Sequence, residues 1–155
     1  MKDPVDLDDT DRAILRALSL DGGLGAGELG RRLGLSQPAT WRRVRRLEES
    51  GVLAGLRVDV DRAALGFGVT VFLGIRLATK GRVGLEDFER AATAIPEVQV
   101  VQHVLGVFDY RLRVVARDLA DFERVLRRRV MTLPGVGHVE ANVVLTEERR
   151  PGPLG

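Results

Sequence analysis

Six arginines, Arg31, Arg32, Arg42, Arg43, Arg45 and Arg46, fall between Glu28 and Glu48 with no carboxylate among them. A guanidinium is a planar fork of donors that pairs with two acceptors on a guanine edge or grips a phosphate, so this stretch offers recognition of a polyanion with readable edges. Number alone does not decide the matter. Only two of the 24 basic residues are lysines, Lys2 and Lys80, so arginine is used throughout the chain, and an arginine-rich face is most often plain solvated surface. What counts is the frame that holds these side chains.

That frame reads as helix, tight turn, helix. Leu29 and Leu33 share a face, Gly34 can end a helix by taking positive φ, and Ser36 is a favoured N-cap for the next one. Pro38 is tolerated in a first turn, and Gly51 closes the second helix after Ser50. The spacing predicts Trp41, Val44 and Leu47 turned inward, with Pro38, Ala39, Arg42, Arg46 and Glu49 outward and Arg43 and Arg45 flanking them. A helix so dressed suits a major groove, with its N-terminal Gln37 and Thr40 as base readers. The candidate DNA contacts are therefore Arg31, Arg32, Ser36, Gln37, Pro38, Thr40, Arg42, Arg43, Arg45 and Arg46.

The remaining composition bounds the class of protein. With 45% hydrophobic and 30% charged residues, 155 residues can bury one core or two small ones. Net charge is +2, and residues 1–60 hold ten bases and ten acids, but the acids gather before Asp21 and the bases after Arg31, leaving one positive edge. No apolar run approaches the roughly 18 residues of a membrane span, and MKDPVDLDD is acidic where a signal peptide is basic, so a cytoplasmic protein without membrane contact is expected. There is no cysteine and only His103 and His138, so no metal site, cofactor or catalytic residue is expected. Gly25 to Gly30 matches G-x-G-x-x-G with Glu48 at a suitable distance, yet a helix precedes it where a nucleotide fold needs a strand. It is read as a glycine-rich entry to a helix.

In chain order, Leu7 to Leu20 is expected as a first helix capped by Asp8, with Ile14, Leu15 and Leu18 inward. Leu53 to Val60 alternates enough for a strand or small wing, and 61–68 is the expected joint. From Val69 the period becomes two. VTVFLGIRL is a strand, Leu85, Phe88, Ala92 and Ile95 line a helix, and 98–105 and 110–116 are strands. Asp118 caps a helix with Leu119, Phe122, Leu126 and Val130 inward, and 136–146 is a last strand. VQVVQHVL would place Val98, Val100 and Val104 on one face and Val101 and Leu105 on the other. The order β-α-β-β-α-β is the ferredoxin-like arrangement, with both helices on one face of the sheet. Its other face needs a cover, and a second copy of the same sheet is the simplest, so a dimer is expected. The fold class is α+β, a winged helix-turn-helix followed by a ferredoxin-like βαββαβ domain. Expected boundaries are 1–52 for DNA binding, 53–67 for the connector, 68–148 for effector binding and oligomerisation, and 149–155 for a disordered tail.

This succession resembles the Lrp/AsnC (leucine-responsive/asparagine-responsive, feast/famine) family of transcription regulators. The resemblance rests on LDDTDRAILRALSLDG, ELGRRLGLS, RRVRRLEESGVL, GVFDYRLRV and LPGVGHVEANVVL, in that order across nearly the whole chain. It implies partners of three kinds: double-stranded DNA, further copies of the chain as a dimer or an octamer of four dimers, and a small effector, commonly an amino acid. It also implies an effector site at the loop Gly106 to Asp109, with candidate residues His103, Leu105, Gly106, Val107, Asp109 and Asn142. The family loop is Gly-Asp or Gly-Asn, an aromatic and Asp, preceded by Ser or Thr. This chain keeps Gly106, Phe108, Asp109 and Tyr110 but carries Leu105 and Val107 at the polar positions, removing partners for a zwitterion. Asp109 could hold an ammonium or only set the hairpin turn. Two other classes stay open, a sirohaem-decarboxylase-like enzyme of similar architecture and an effector-independent architectural DNA-binding protein.

Overall fold

The computed structural model describes residues 5–78, 81–148 and 152; side chains at 82 and 83 and the expected disordered tail, 152 apart, lie outside the described residues. The chain forms two compact units, one built on residues up to Asp59 and the other Val60–Glu147.

The first unit is three helices, each started and stopped by local chemistry. Helix α1 (Asp9–Leu20) opens on a capping box in which the Asp8 carboxylate accepts from Asp11 N–H at 2.8 Å and Asp11 accepts from Asp8 N–H at 3.3 Å. Helix α2 (Ala26–Leu33) ends at Gly34, whose φ of 69° is left-handed, as a glycine there allows. Helix α3 (Gln37–Glu49) begins on Ser36, whose hydroxyl accepts from Ala39 N–H at 3.3 Å. Ile14, Leu18, Leu29 and Leu47 are the buried centre, with Leu15, Leu24, Leu33 and Val44 packed around them.

Two expectations for this unit are corrected. Trp41 is 57% exposed, and the inward stripe of α3 is Thr40, Val44 and Leu47, the i, i+4, i+7 set. The cause is Gly30 on α2. A Cβ there would stand 2.7 Å from Leu35 O and 3.1 Å from Thr40 Oγ1, so the helices approach too closely for an indole, and a threonine fills the gap. Residues 54–60 form neither helix nor strand, because alternation makes a strand only where a ladder partner lies alongside, and here Leu56 and Val58 face solvent.

The second unit is a four-stranded antiparallel sheet in the order β2-β3-β1-β4, from β1 (Val69–Leu77), β2 (Val98–His103), β3 (Tyr110–Ala116) and β4 (Val136–Val143). Helix α4 (Arg82–Thr93) and helix α5 (Leu119–Val125), which runs on through a π-helical turn over Leu126–Val130, cover one face. Phe88, Ala92, Phe122, Val125 and Val130 pack there against Val71, Leu73, Ile75, Tyr110, Leu112 and Val114. This is the ferredoxin-like α+β arrangement.

Two details depart from the alternation read in the sequence. The register of β2 on β3 shifts between Val98 and Val100, which pair with Val114 and Arg113. That bulge brings Val98 and Val101 both onto the core side and leaves Val100 outside. Leu119 is 60% exposed rather than inward, because the first residue of α5 precedes the stripe that begins at Phe122.

Candidate DNA-reading surface and effector loop

The six arginines of the helix-turn-helix divide by what already holds them. Arg31 and Arg32 both reach back one turn to Glu28, the latter at 3.0 Å, in exposed pairs. Arg45 stands 3.5 and 3.9 Å from Glu48 and Glu49. Exposed pairs of this kind are worth roughly 0–1 kcal/mol, so these three can exchange a carboxylate for a phosphate at little cost. Of these six, Arg42 alone has a side chain with no ion pair or hydrogen bond among the described residues.

Arg43 and Arg46 are held differently. Arg43 bridges Asp8 at 2.6 Å and Asp11 at 2.9 Å, and Arg46 also bonds to Asp11, whose side chain is fully buried. Asp11 thus caps α1 with one interaction and ties the middle of α3 with two more. The hydrogen bond from Arg43, and then the one from Asp11 N–H, hold the Asp8 carboxyl below its ordinary range, while Asp8 and Asp11 push the Arg43 guanidinium up. Asp11 is the buried member of these pairs, and losing its arginines would leave its charge short of partners, which disfavours their release to a phosphate, less so for Arg46, whose side chain is 57% exposed. Both were expected at the DNA.

Thr40 is removed from the reading set as well. It is fully buried, and its hydroxyl donates to Ser36 O at 3.0 Å. What faces solvent at the start of α3 is Gln37, Pro38, Trp41 and Arg42, which line a shallow concavity of about 430 Å³. Arg45 follows one turn on, its guanidinium 5.8 Å from the Trp41 ring. The ion pairs of Asp8 and Asp11 to α3, the close approach at Gly30 and the exposure of Trp41 are what motif reading missed. A glycine facing a threonine across a tight turn was the available signal for the helix rotation.

In the second unit, the loop between β2 and β3 is pinned from below. Asp109 donates its N–H to Ile75 O at 2.9 Å, accepts from Val104 N–H at 3.0 Å, and its carboxylate accepts from Leu77 N–H at 2.9 Å. Asp109 therefore ties the loop to β1. The Phe108 ring lies on Gly74, where a Cβ would come within 2.7 Å of it. Leu105 and Val107 point outward, at 106% and 71% exposure. Tyr110 donates to Glu89 at 2.7 Å, and burial, then Glu89, push its phenol upward in pKa. His103 stacks on Tyr110 at 4.8 Å.

The expected convergence of His103 and Asn142 does not occur within one chain. His103 is on β2 and Asn142 on β4, the two outer strands, and β3 and β1 lie between them. They also take opposite faces, since His103 pairs with core-facing Tyr110 and Asn142 with Phe72 on the face away from the helices. On that second face Arg111 and Arg113 stand 5.3 and 5.9 Å from Phe72, and Arg113 makes two hydrogen bonds to Glu147 at 3.1 and 2.7 Å.

Both units have known counterparts. Residues 7–54 match the winged helix-turn-helix DNA-binding family, and residues 70–154 match the Lrp/AsnC ligand binding domain. The chain belongs to the Lrp/AsnC family of transcriptional regulators. Within the family, it is 34% identical over 149 residues to the leucine-responsive regulatory protein of Escherichia coli, covering 96% of this chain and 91% of that one. It is 33% identical over 147 residues to the proline dehydrogenase transcriptional activator of Rhizobium radiobacter, covering 95% and 94%. A transcriptional regulator from Neisseria meningitidis, solved as its L-Met complex, superposes with a TM-score of 0.88 at 27% identity over 94% of each chain. Among the described residues no helix is long and apolar enough to cross a membrane.

Proposed function

We propose that this family member binds operator DNA sequence-specifically through α3, works as a dimer or higher assembly in the cytoplasm, and is not an enzyme. The observation that carries the reading is the capped helix-turn-helix whose outward start presents Gln37, Pro38 and unpaired Arg42, with Arg31, Arg32 and Arg45 in weak surface pairs nearby. Two such helices from a dimer would read half-sites about one helical turn apart. A second copy is favoured by the sheet face away from the helices, where Phe72 and Val100 have no helix over them. The domain boundaries expected from sequence, 1–52, 53–67 and 68–148, serve this division of labour.

The same reading assigns a small effector to the loop Gly106 to Asp109 and its neighbour Leu105. Relatives bear the names of leucine response and an L-Met complex, and here Leu105 and Val107 turn an apolar surface outward. Asp109 positions that surface while Leu105, Gly106 and Val107 meet the ligand, which fits an amino acid with an apolar side chain. His103 and Asn142 could join such a site only if different chains supply them.

Selection of bound duplexes from a random-sequence pool tests the reading, followed by titration at several salt concentrations. The expected result is an enriched motif with two-fold symmetry and log K falling linearly with log salt. Binding without sequence enrichment contradicts specific regulation. A thermal-shift screen against the amino acids should give its largest stabilisation with an apolar one, and no response to any would remove the effector assignment.

A further inference from the structure

We propose that Trp41 is a base-reading residue that recognises a thymine through its C5-methyl group. This rests on the DNA-binding reading above and adds the chemistry of one contact to it. Trp41 is 57% exposed at the fifth position of α3, on one stripe with Gln37 and Arg45 and beside Pro38 and Arg42. A helix in the major groove presents its N-terminal residues to base edges, so the indole stands where bases are read. Gln37 and Arg42 beside it are hydrogen-bonding side chains, but the exposed indole offers chiefly an apolar surface. The thymine methyl is the apolar group the major groove displays, and it is the partner such a surface can select.

The occupant is argued from charge as well as place. Arg42 has no partner among the described residues and Arg45 is only loosely paired, so the ring is flanked by cations that favour a polyanion over another protein's apolar patch. The ring also has a foothold. With Leu24, Leu29 and Val44 it borders a cleft of about 240 Å³, and the Arg45 guanidinium stands 5.8 Å from the ring.

Trp41 is the only tryptophan of the chain, so intrinsic fluorescence reports this residue without background. The experiment uses the full-length protein and a duplex selected by it from a random pool, then the same duplex with deoxyuridine replacing each thymine in turn. The wild type should show a changed Trp41 emission on binding. It should also lose about fourfold in affinity at one thymine per half-site, the worth of one buried methyl. Trp41→Ala should bind the parent duplex more weakly and no longer distinguish thymine from uracil there, while Trp41→Phe keeps part of the discrimination. Circular dichroism of both variants verifies their folding. Equal affinity of wild type for every uracil duplex overturns the proposal, as does unchanged discrimination in Trp41→Ala. A Trp41→Ala variant that alters sedimentation but not DNA affinity overturns it in favour of a protein contact. If the wild type selects no DNA, the DNA-binding reading itself fails and the proposal with it.

Discussion

The two units of this chain solve the problem of holding shape by different means. Among the described residues, the sheet unit centres on fifteen buried ones, Phe88, Tyr110 and Phe122 included, whereas the helical unit centres on four, Ile14, Leu18, Leu29 and Leu47. Where aliphatic burial is scarce, orientation falls to polar chemistry, and here a buried carboxylate, Asp11, joins the start of α1 to the middle of α3. Two arginines that look like ligand-binding groups in the sequence, Arg43 and the still exposed Arg46, are thereby tied to a carboxylate of the fold. Basic residues on a small recognition domain are best sorted by their carboxylate partners before any is assigned to a phosphate.

The single tryptophan, Trp41, lies in the first unit and the single tyrosine, Tyr110, in the second, so the contrast can be broken from either side. The largest effect is expected from Phe88→Ala, which empties a fully buried site and should cost the sheet unit about 3–5 kcal/mol. Urea unfolding followed by tyrosine near-ultraviolet dichroism measures it, and the Trp41 transition should move less. Asp11→Asn should cost the helical unit about 2–3 kcal/mol. That is less than the roughly 3–5 kcal/mol of a fully buried pair, since solvent already reaches Arg46. Here the Trp41 transition should shift and the Tyr110 signal stay. Gly30→Ala pushes a methyl against Leu35 O and should cost about 1–3 kcal/mol, read by the same fluorescence.

A smaller effect separates charge from capping. Asparagine caps a helix as well as aspartate does, so Asp8→Asn keeps the cap and removes the attraction to Arg43. Because the folded pKa of Asp8 is lowered, its contribution is present above the unfolded value of about 3.9 and is lost as pH falls through the folded one. The variant should therefore unfold earlier than the wild type at neutral pH, with the two midpoints converging below about pH 4. A gap that persists in acid would show that Asp8 acts by something other than its charge.

Much of this was legible in the residues. Ser36, Gly34 and Asp8 are local signals whose meaning depends on neighbours three or four residues away, and the structure places each at its cap. The change of hydrophobic period at Val69 marked the start of the β-α-β-β-α-β succession that the structure shows. What was hidden depends on distance across the fold. The rotation of α3 is set by the closeness of Gly30, the pairing of Arg43 and Arg46 by an acid more than thirty positions earlier, and the separation of His103 from Asn142 by strand order. The bulge at Val98 to Val100 left no mark in the alternation of VQVVQHVL. At the loop, Leu105 and Val107 were visible as departures, but only the structure shows Asp109 tied to β1, by its N–H to Ile75 and by its carboxylate to Leu77 N–H.

The smallest numbers bear on the central distinction, between arginines that meet DNA and arginines that hold the fold. The most direct measurement is the slope of log K against log salt for a selected duplex, compared among the wild type, Arg42→Ala and Arg43→Ala. Loss of one phosphate contact should reduce the slope by about one in Arg42→Ala, while Arg43→Ala keeps the wild-type slope and instead lowers the Trp41 unfolding midpoint. A slope reduced as much by Arg43→Ala as by Arg42→Ala would contradict the account.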